Sequence, residues 1–188
     1  MGGLAKTLVT YADYLAAEAI SEVKHEYLRG EIFAMAGGTV EHSRLAANVI
    51  HELHQALQGR PCVVLTSDAR IRIVETDRST YPDVAVVGGR VETAPDDPDA
   101  VTNPLLLVEV LSDSTEAADR GEKFAHYRRL PSLQEYLLVA QRSPRLEIYR
   151  RTEQGWILTE AGAGESLRLE SIDARLTVDE IYRNPLVA

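Results

Sequence analysis

Two short apolar segments in the middle of the chain each contain one acidic residue. Segment 81–87 reads Tyr-Pro-Asp-Val-Ala-Val-Val and carries Asp83 near its start, while segment 105–111 reads Leu-Leu-Leu-Val-Glu-Val-Leu and contains Glu109. Both are bounded by turn residues, which is the pattern of buried strands. Burial of a carboxylate costs free energy unless a cation or hydrogen bonds compensate it. If the two strands are neighbours, their carboxylates can therefore share one divalent metal ion.

Apolar periodicity predicts further elements on both sides of this pair. Apolar residues recur every four positions over 41–58, which predicts the longest helix. Shorter helices are predicted at 10–19, 119–129 and 177–182, and strands or hairpins at 27–35, 62–65, 135–139 and 146–159. Strands and helices alternate through the middle of the chain, and hairpins lie towards its ends. This order predicts a mixed β-sheet flanked by helices, of the α/β or α+β class.

Three segments between these elements carry weaker patterns. Segment 69–74 alternates arginine with isoleucine, which predicts a half-buried strand. Segment 77–79 is predicted to be a turn that leads into the strand of Asp83. Segment 92–103 is acidic and rich in proline, and we expect an exposed loop there.

Composition narrows the class of protein. A chain of 188 residues suits one domain, spanning 1–188, with a sizeable core. No segment approaches the ~18 apolar residues of a membrane helix and no signal peptide is evident, so a cytoplasmic location is expected. The single cysteine, Cys62, excludes an internal disulfide and lies in an apolar run that predicts a core position. The net charge of −9 repels nucleic acid, so DNA binding would depend on a local basic patch.

An ordered set of motifs resembles one known family. The motifs are His25-Glu26-Tyr27-Leu28-Arg29-Gly30-Glu31-Ile32, Glu41-His42-Ser43, Tyr81-Pro82-Asp83, Val108-Glu109-Val110-Leu111-Ser112 and Asp119-Arg120-Gly121-Glu122-Lys123. In this order they resemble the Uma2 family of proposed endonucleases, formerly a domain of unknown function, within the PD-(D/E)XK superfamily. The resemblance covers nearly the whole chain. It implies a restriction-endonuclease-like fold and a nuclease that uses Mg²⁺ or Mn²⁺ to hydrolyse DNA phosphodiester bonds.

The resemblance also implies a set of site residues. Asp83, Glu109, Lys123 and Glu26 would be catalytic, and the metal ligands would be Asp83, Glu109 and the carbonyl oxygen of Val110. The superfamily places its lysine two residues after the strand acid, where this chain has Leu111. The family pattern suggests that this lysine has moved to the following helix, as Lys123.

A second departure concerns the turn 29–31. Many relatives read Asp-Gly-Glu where this chain has Arg-Gly-Glu, which removes one carboxylate near the implied site. Glu31 therefore competes with Glu26 as a further acidic residue of the site. His42, at the start of the long helix, could contact the scissile phosphate or the metal. A role in capping and packing the helix start fits His42 equally well.

Structural explanations compete with these functional ones. Asp83 could be a turn or cap residue, and Glu109 could pair with an arginine. Lys123 could be a surface lysine paired with Asp119, four residues earlier on the same helix face.

Two classes of function follow from the sequence. The first is a metal-dependent endonuclease, acting on DNA or alternatively on RNA. The second is a nuclease fold used as a binding or regulatory module with little or no catalysis, which the acidic net charge and Leu111 favour. Exposed apolar residues expected at a sheet edge, with self-association in the family, also predict a homodimer.

Overall fold

The computed structural model describes residues 8–35 and 37–186. The helices are α1 (Tyr11–Glu18), α2 (Val40–Ala56), α3 (Glu116–Ala118), α4 (Phe124–Tyr127) and α5 (Val178–Tyr182). The strands are β1 (His25–Leu28), β2 (Glu31–Ala34), β3 (Cys62–Thr66), β4 (Arg70–Ile73), β5 (Arg78–Thr80), β6 (Val84–Gly88), β7 (Thr93–Ala94), β8 (Asp97–Val101), β9 (Leu106–Val110), β10 (Glu135–Val139), β11 (Arg145–Thr152), β12 (Gly155–Gly162), β13 (Ser166–Leu169) and β14 (Ala174–Thr177). A π-helical turn, Asp119–Lys123, joins α3 to α4, and the three together form an interrupted helix over 116–127.

The strands of the described residues form two six-stranded sheets and one separate hairpin. The first sheet has the order β2-β1-β5-β4-β8-β7, the second has the order β12-β11-β10-β9-β6-β3, and β13 pairs with β14. In the second sheet β9 and β10 are parallel, while β6 is antiparallel to both β9 and β3. Strand β6, which follows Asp83, and strand β9, which contains Glu109, are therefore neighbours.

The first hairpin forms where the sequence predicted it. β1 and β2 pair antiparallel, with His25 opposite Ala34 and Leu28 opposite Glu31. The two turn residues, Arg29 and Gly30, have φ angles of 48° and 86°. Two consecutive left-handed residues make the tight turn whose twist matches that of the flanking strands. The hairpin of β11 and β12 around Gly155 is likewise confirmed.

Helix α2 covers one face of the second sheet. Thr39 caps its start, because the side-chain oxygen accepts a hydrogen bond from the backbone N–H of His42 at 3.1 Å. Leu45, Val49 and Leu53 are fully buried against side chains of the central strands and of α5. Full burial of each leucine or valine contributes roughly 1.5–3 kcal/mol, so the apolar stripe predicted over 41–58 holds the helix on the sheet.

Alternation along β6 and β9 separates two apolar clusters. Val84, Val108 and Val110 face the cluster beneath α2, while Ala85 and Leu107 face a second cluster. The second cluster lies against β4 of the first sheet and α4 of the interrupted helix, and it is built on large side chains: Ile71, Ile73, Tyr127, Leu133 and Tyr136. Odd-numbered residues of these two strands therefore point towards the first sheet and the interrupted helix.

The prediction of an exposed loop at 92–103 is wrong. This segment forms β7 and β8 at one end of the first sheet. Asp97 is only 2% exposed, and its two carboxylate oxygens each accept a hydrogen bond of 2.9 Å from Arg70. The prediction was wrong because acidic composition does not require exposure. A bidentate arginine allows a carboxylate to be buried in a strand.

Two further expectations in the first sheet are corrected. Arg72 is not on an exposed face of β4: it is 6% exposed, lies 3.8 Å from the ring centroid of Tyr11 and donates a hydrogen bond of 2.7 Å to Asp77. Segment 77–79 is a turn only at Asp77, with φ of 52°, since Arg78 begins strand β5. An aromatic face and a carboxylate replace part of the water around this guanidinium group, while its Nε and Nη1 find no hydrogen-bond partner among the described residues. Cys62, expected in the core, is only partly buried against it.

Candidate active site

The register of β6 and β9 brings the two predicted acids together. Val84 lies opposite Val108 and Ala85 opposite Leu107 in this antiparallel pair. Extending the register by one residue places Asp83 opposite Glu109, on the sheet face that looks towards the second cluster. Residues directly opposite in such a pair have Cβ atoms roughly 4.5–5.5 Å apart. Both side chains line one cleft of about 780 Å³.

Each carboxylate is held by the protein through one of its two oxygens. Oδ2 of Asp83 accepts the backbone N–H of Val110 at 2.7 Å and lies 3.2 Å from Nε2 of His42. Oε1 of Glu109 accepts the hydroxyl of Tyr127 at 2.8 Å and lies 2.9 Å from Nζ of Lys123. The second oxygens, Oδ1 and Oε2, receive no hydrogen bond from the residues that the structure describes. Two anchored carboxylates thus leave one oxygen each for another ligand.

Lys123 reaches this cleft from the interrupted helix. It belongs to the π-helical turn between α3 and α4, a feature that recurs at functional sites. The hydroxyl of Tyr136 donates to the backbone carbonyl of Asp119 at 3.0 Å, at the start of that turn. Lys123 is 8% exposed and lines the cleft with Asp83 and Glu109. This is the placement expected for Lys123, and it excludes the interpretation as a surface lysine.

Three carboxylates surround the ammonium group of Lys123. Glu109 lies at 2.9 Å, Asp119 at 3.5 Å and Glu26 at 3.6 Å. Burial alone would lower the pKa of Lys123, but these three acids outweigh it and raise that pKa above its ordinary value. The lysine is therefore a permanently charged cation inside the site.

Glu26 lies behind Lys123. Glu26 is not one of the described residues that line the cleft. Its Oε1 accepts the hydroxyl of Thr80, and its Oε2 accepts a hydrogen bond of 2.9 Å from Arg78. Burial raises the pKa of Glu26, but Lys123, Thr80 and Arg78 together lower it below the ordinary value. Glu26 is thus a charged partner of the lysine from the first sheet. Glu31 does not line the cleft either.

The sequence did not identify Asp119 as a residue of the site. We expected it only as a surface partner of Lys123, yet it is 3% exposed and lines the cleft. Burial and the nearby Asp83 raise its pKa, although Lys123 opposes this. The spacing of Asp119 and Lys123 indicated this position, because residues four apart on a helix share a face. Tyr127, four residues after Lys123, is expected on the same helix face for the same reason, and its hydroxyl donates to Glu109.

The electrostatics of the cleft favour a bound cation. Burial raises the pKa of Glu109 to about 8, against the opposing effect of Lys123. The hydrogen bond to Asp83 raises the pKa of His42, although burial opposes it. The acidic residues that line the cleft are Glu22, Asp83, Glu109 and Asp119, and its lysines are Lys24 and Lys123. A divalent cation beside the free oxygens would relieve the repulsion among these acids.

The donor set fits a metal that prefers oxygen and keeps water ligands. No group of three or more His, Cys, Asp or Glu side chains within 8–35 and 37–186 forms a preformed metal site. Two carboxylates and a backbone carbonyl are nevertheless the partial set with which Mg²⁺ is commonly held. Val110, whose carbonyl oxygen the resemblance implied as a ligand, also lines the cleft.

Comparison with known proteins identifies the family. The Uma2 family, described as "Putative restriction endonuclease", matches residues 11–179. The chain belongs to the Uma2 family. Two relatives of this chain come from Synechocystis sp. (strain ATCC 27184 / PCC 6803 / Kazusa). Uncharacterized protein slr1290 is 40% identical over 175 residues, covering 91% of this chain and 90% of that protein. Uncharacterized protein sll1609 is 38% identical over 164 residues, covering 87% and 92% respectively.

A solved structure supports the fold of this Uma2 protein. It resembles the crystal structure of a "putative nuclease belonging to DUF820" from Anabaena variabilis ATCC 29413, with a TM-score of 0.74. The match covers 93% of this chain and 97% of that one at 16% sequence identity, so the likeness concerns the fold. The predicted fold class is confirmed. In the part of the chain that the structure describes, no helix is long and apolar enough to cross a membrane.

Proposed function

We propose that this Uma2 protein is a metal-dependent endonuclease that hydrolyses DNA phosphodiester bonds. The observation that carries the proposal is the buried ammonium group of Lys123 at 2.9 Å from Glu109, in the cleft that Asp83 also lines. Two carboxylates with one free oxygen each, beside a permanent cation, suit the hydrolysis of a phosphate ester. The family description and the name of the structural neighbour support the same class of reaction.

The metal in this proposal is Mg²⁺ or Mn²⁺. Oδ1 of Asp83, Oε2 of Glu109 and the carbonyl oxygen of Val110 would hold it. When bound, such an ion neutralises phosphate charge and lowers the pKa of a water ligand. The protein's own contribution is to anchor one oxygen of each carboxylate to neighbouring residues, so that neither carboxylate has to reorganise during the reaction.

Lys123 has the role of a charge-stabilising donor in this proposal. An ammonium group has no lone pair for a metal, but it donates hydrogen bonds to an attacking water or to the phosphate as negative charge develops. Glu26 acts through it: held by Arg78 and Thr80, this carboxylate supports the charge and direction of the lysine. The catalytic set therefore has two metal-binding acids, one cation and one acid behind the cation.

A second candidate function is a binding or regulatory module with the same fold. The acidic excess among the residues that line the cleft favours it, since four acidic side chains and two lysines are found there. A polyanion would approach such a surface unfavourably without bound cations. In this second candidate the protein binds metal and nucleic acid without cleaving it, whereas the first requires turnover.

Cleavage of supercoiled plasmid DNA in Mg²⁺ or Mn²⁺ tests the proposal, with EDTA as the blank and a structured RNA as the parallel substrate. We expect DNA cleavage by the wild type, no cleavage by Asp83→Asn and at least a 100-fold slower rate for Lys123→Met. Lys24→Met is the matched control, since Lys24 also lines the cleft but pairs with Asp68 instead of the site acids. Cleavage of RNA alone would overturn the assignment of DNA.

Metal binding separates the two candidates. Lys123→Met is expected to bind Mn²⁺ within a few-fold of the wild type, because lysine is not a ligand, while Asp83→Asn loses most of the affinity. Wild-type protein that binds Mn²⁺ and DNA but cleaves neither nucleic acid would favour the binding module.

We also propose that the protein acts as a homodimer of single-domain chains. Strand β12 lies at one end of the second sheet, and its Ile157 and Leu158 are 54% and 42% exposed. An exposed edge strand with apolar side chains is a template for pairing with another chain. Light scattering at micromolar concentration tests this, and a monomer there would contradict it.

A further inference from the structure

The side chain of His42 is not needed to start helix α2. Thr39 occupies the cap position and accepts the backbone N–H of His42 through its hydroxyl at 3.1 Å. The imidazole is instead turned into the cleft, where it is 19% exposed. The structure thus excludes the capping role that the sequence left open for this side chain.

The imidazole contacts the half of Asp83 that is already anchored. Nε2 of His42 lies 3.2 Å from Oδ2, the same oxygen that accepts the backbone N–H of Val110 at 2.7 Å. The hydrogen bond from Val110 and the ion-pair contact with His42 converge on one oxygen and restrict the rotation of the carboxylate about its Cβ–Cγ bond. The direction of the other oxygen, Oδ1, then follows from the positions of these two contacts.

Gly38 leaves the space that the imidazole occupies. A Cβ atom built on Gly38 would lie 2.9 Å from Nδ1 of His42 and 3.2 Å from its Cγ. A Cβ atom built on the adjacent Gly37 would meet none of the described atoms within 4 Å. The position of the ring therefore depends on the absence of a side chain at one glycine and not at the other.

We propose that His42 is a positioning residue that orients Asp83 towards a divalent cation. Its N–H holds Oδ2, so that Oδ1 is presented to the metal together with the free oxygen of Glu109. Residues that hydrogen-bond to a metal-binding side chain commonly affect metal affinity by about 10- to 100-fold. The inference rests on the proposed function, because it assigns the metal site to Asp83 and Glu109.

Mn²⁺ affinity in the absence of nucleic acid tests this role, with the EPR signal of free Mn²⁺ as the readout. His42→Ala is expected to weaken Mn²⁺ binding about 10-fold or more. His42→Gln is expected to stay within about threefold of the wild type, because its amide N–H can replace the donor to Asp83. His54→Ala is the control for loss of a histidine from α2, since His54 is exposed near the other end of that helix.

A second pair of variants moves the ring without changing it. Gly38→Ala forces the imidazole away and is expected to weaken Mn²⁺ binding several-fold, while Gly37→Ala changes it less than about twofold. Circular dichroism and the melting temperature confirm that each variant is folded before titration. This pair keeps the test valid if His42→Ala itself disturbs the start of the helix.

The outcomes separate this inference from the proposed function. If the wild type binds Mn²⁺ but His42→Ala and Gly38→Ala bind it equally well, the positioning role is overturned and the metal site stands. If His42→Gln binds as weakly as His42→Ala, His42 is a metal ligand and not a positioning residue. If the wild type binds no Mn²⁺, the proposed function and the inference both fail.

Discussion

Replacement of Glu109 by glutamine should stabilise the metal-free protein at neutral and alkaline pH. Glu109 is 3% exposed, and burial raises its pKa to about 8. The unfolded chain has an ordinary glutamate pKa of 4.5. Glutamine keeps an oxygen for the hydroxyl of Tyr127 and for Lys123, but it carries no proton to lose.

The sign and size of the effect follow from these two pKa values. Below pH 4.5 Glu109 is protonated in both the folded and the unfolded state, so its full contribution to the free energy of unfolding is present. Between pH 4.5 and 8 only the unfolded state releases its proton, so the free energy of unfolding falls by about 1.4 kcal/mol per pH unit. The total loss by pH 8 is roughly 5 kcal/mol, and Glu109→Gln should avoid it.

Urea denaturation in EDTA between pH 4.5 and 9 measures the difference between Glu109→Gln and the wild type. Glu147→Gln is a matched control, because Glu147 is equally buried but its hydrogen bond to Arg120 lowers its pKa. That variant should lose stability at neutral pH, where the native carboxylate is charged and paired. A difference for Glu109→Gln that does not grow between pH 4.5 and 8 would refute the reasoning.

Three other substitutions test different parts of the molecule. Tyr127→Phe removes the hydroxyl 2.8 Å from Glu109 and should weaken Mn²⁺ affinity several-fold in equilibrium dialysis; unchanged affinity would exclude a role in orienting Glu109. Leu53→Ala, at a fully buried position, should lower the free energy of unfolding by about 2–5 kcal/mol in urea, and less than about 1 kcal/mol would contradict the packing described for α2. Ile157→Lys, on the exposed edge strand β12, should convert a dimer to a monomer in light scattering, whereas a persistent dimer would place the interface elsewhere.

The central pair of strands and their acids were predictable from local sequence. A strand alternates its side chains between two faces, so the apolar run after Asp83 and the run around Glu109 could be assigned to strands without knowing their partners. The helix over 41–58 was predictable for a similar reason, since the period of its apolar residues matches one face of α2. These patterns can be recognised from sequence because each element buries one face, whichever element packs against it.

For Lys123, the sequence predicted only that a short stretch of chain separates it from Glu109. A short connection from β9 to the next helix keeps the lysine close to Glu109, and the structure puts the two 2.9 Å apart. The local sequence did not predict the π-helical turn. Its contact with Tyr136 joins segments that lie 17 residues apart, and no local period encodes it.

Burial of charged groups was decided by the tertiary structure alone. Segment 92–103 is acidic, and its burial depends on Arg70, which lies far away in sequence; Arg72 is buried because Tyr11 and Asp77 surround it. The cost of burying a charge is set by the partners that replace water, and those partners come from other strands and helices. The sequence by itself therefore determined the long helix, the two central strands and the positions of Asp83 just before β6 and of Glu109 within β9. Only the assembled sheets decided that Glu26 lies behind Lys123, that Asp119 enters the cleft and that His42 holds Asp83.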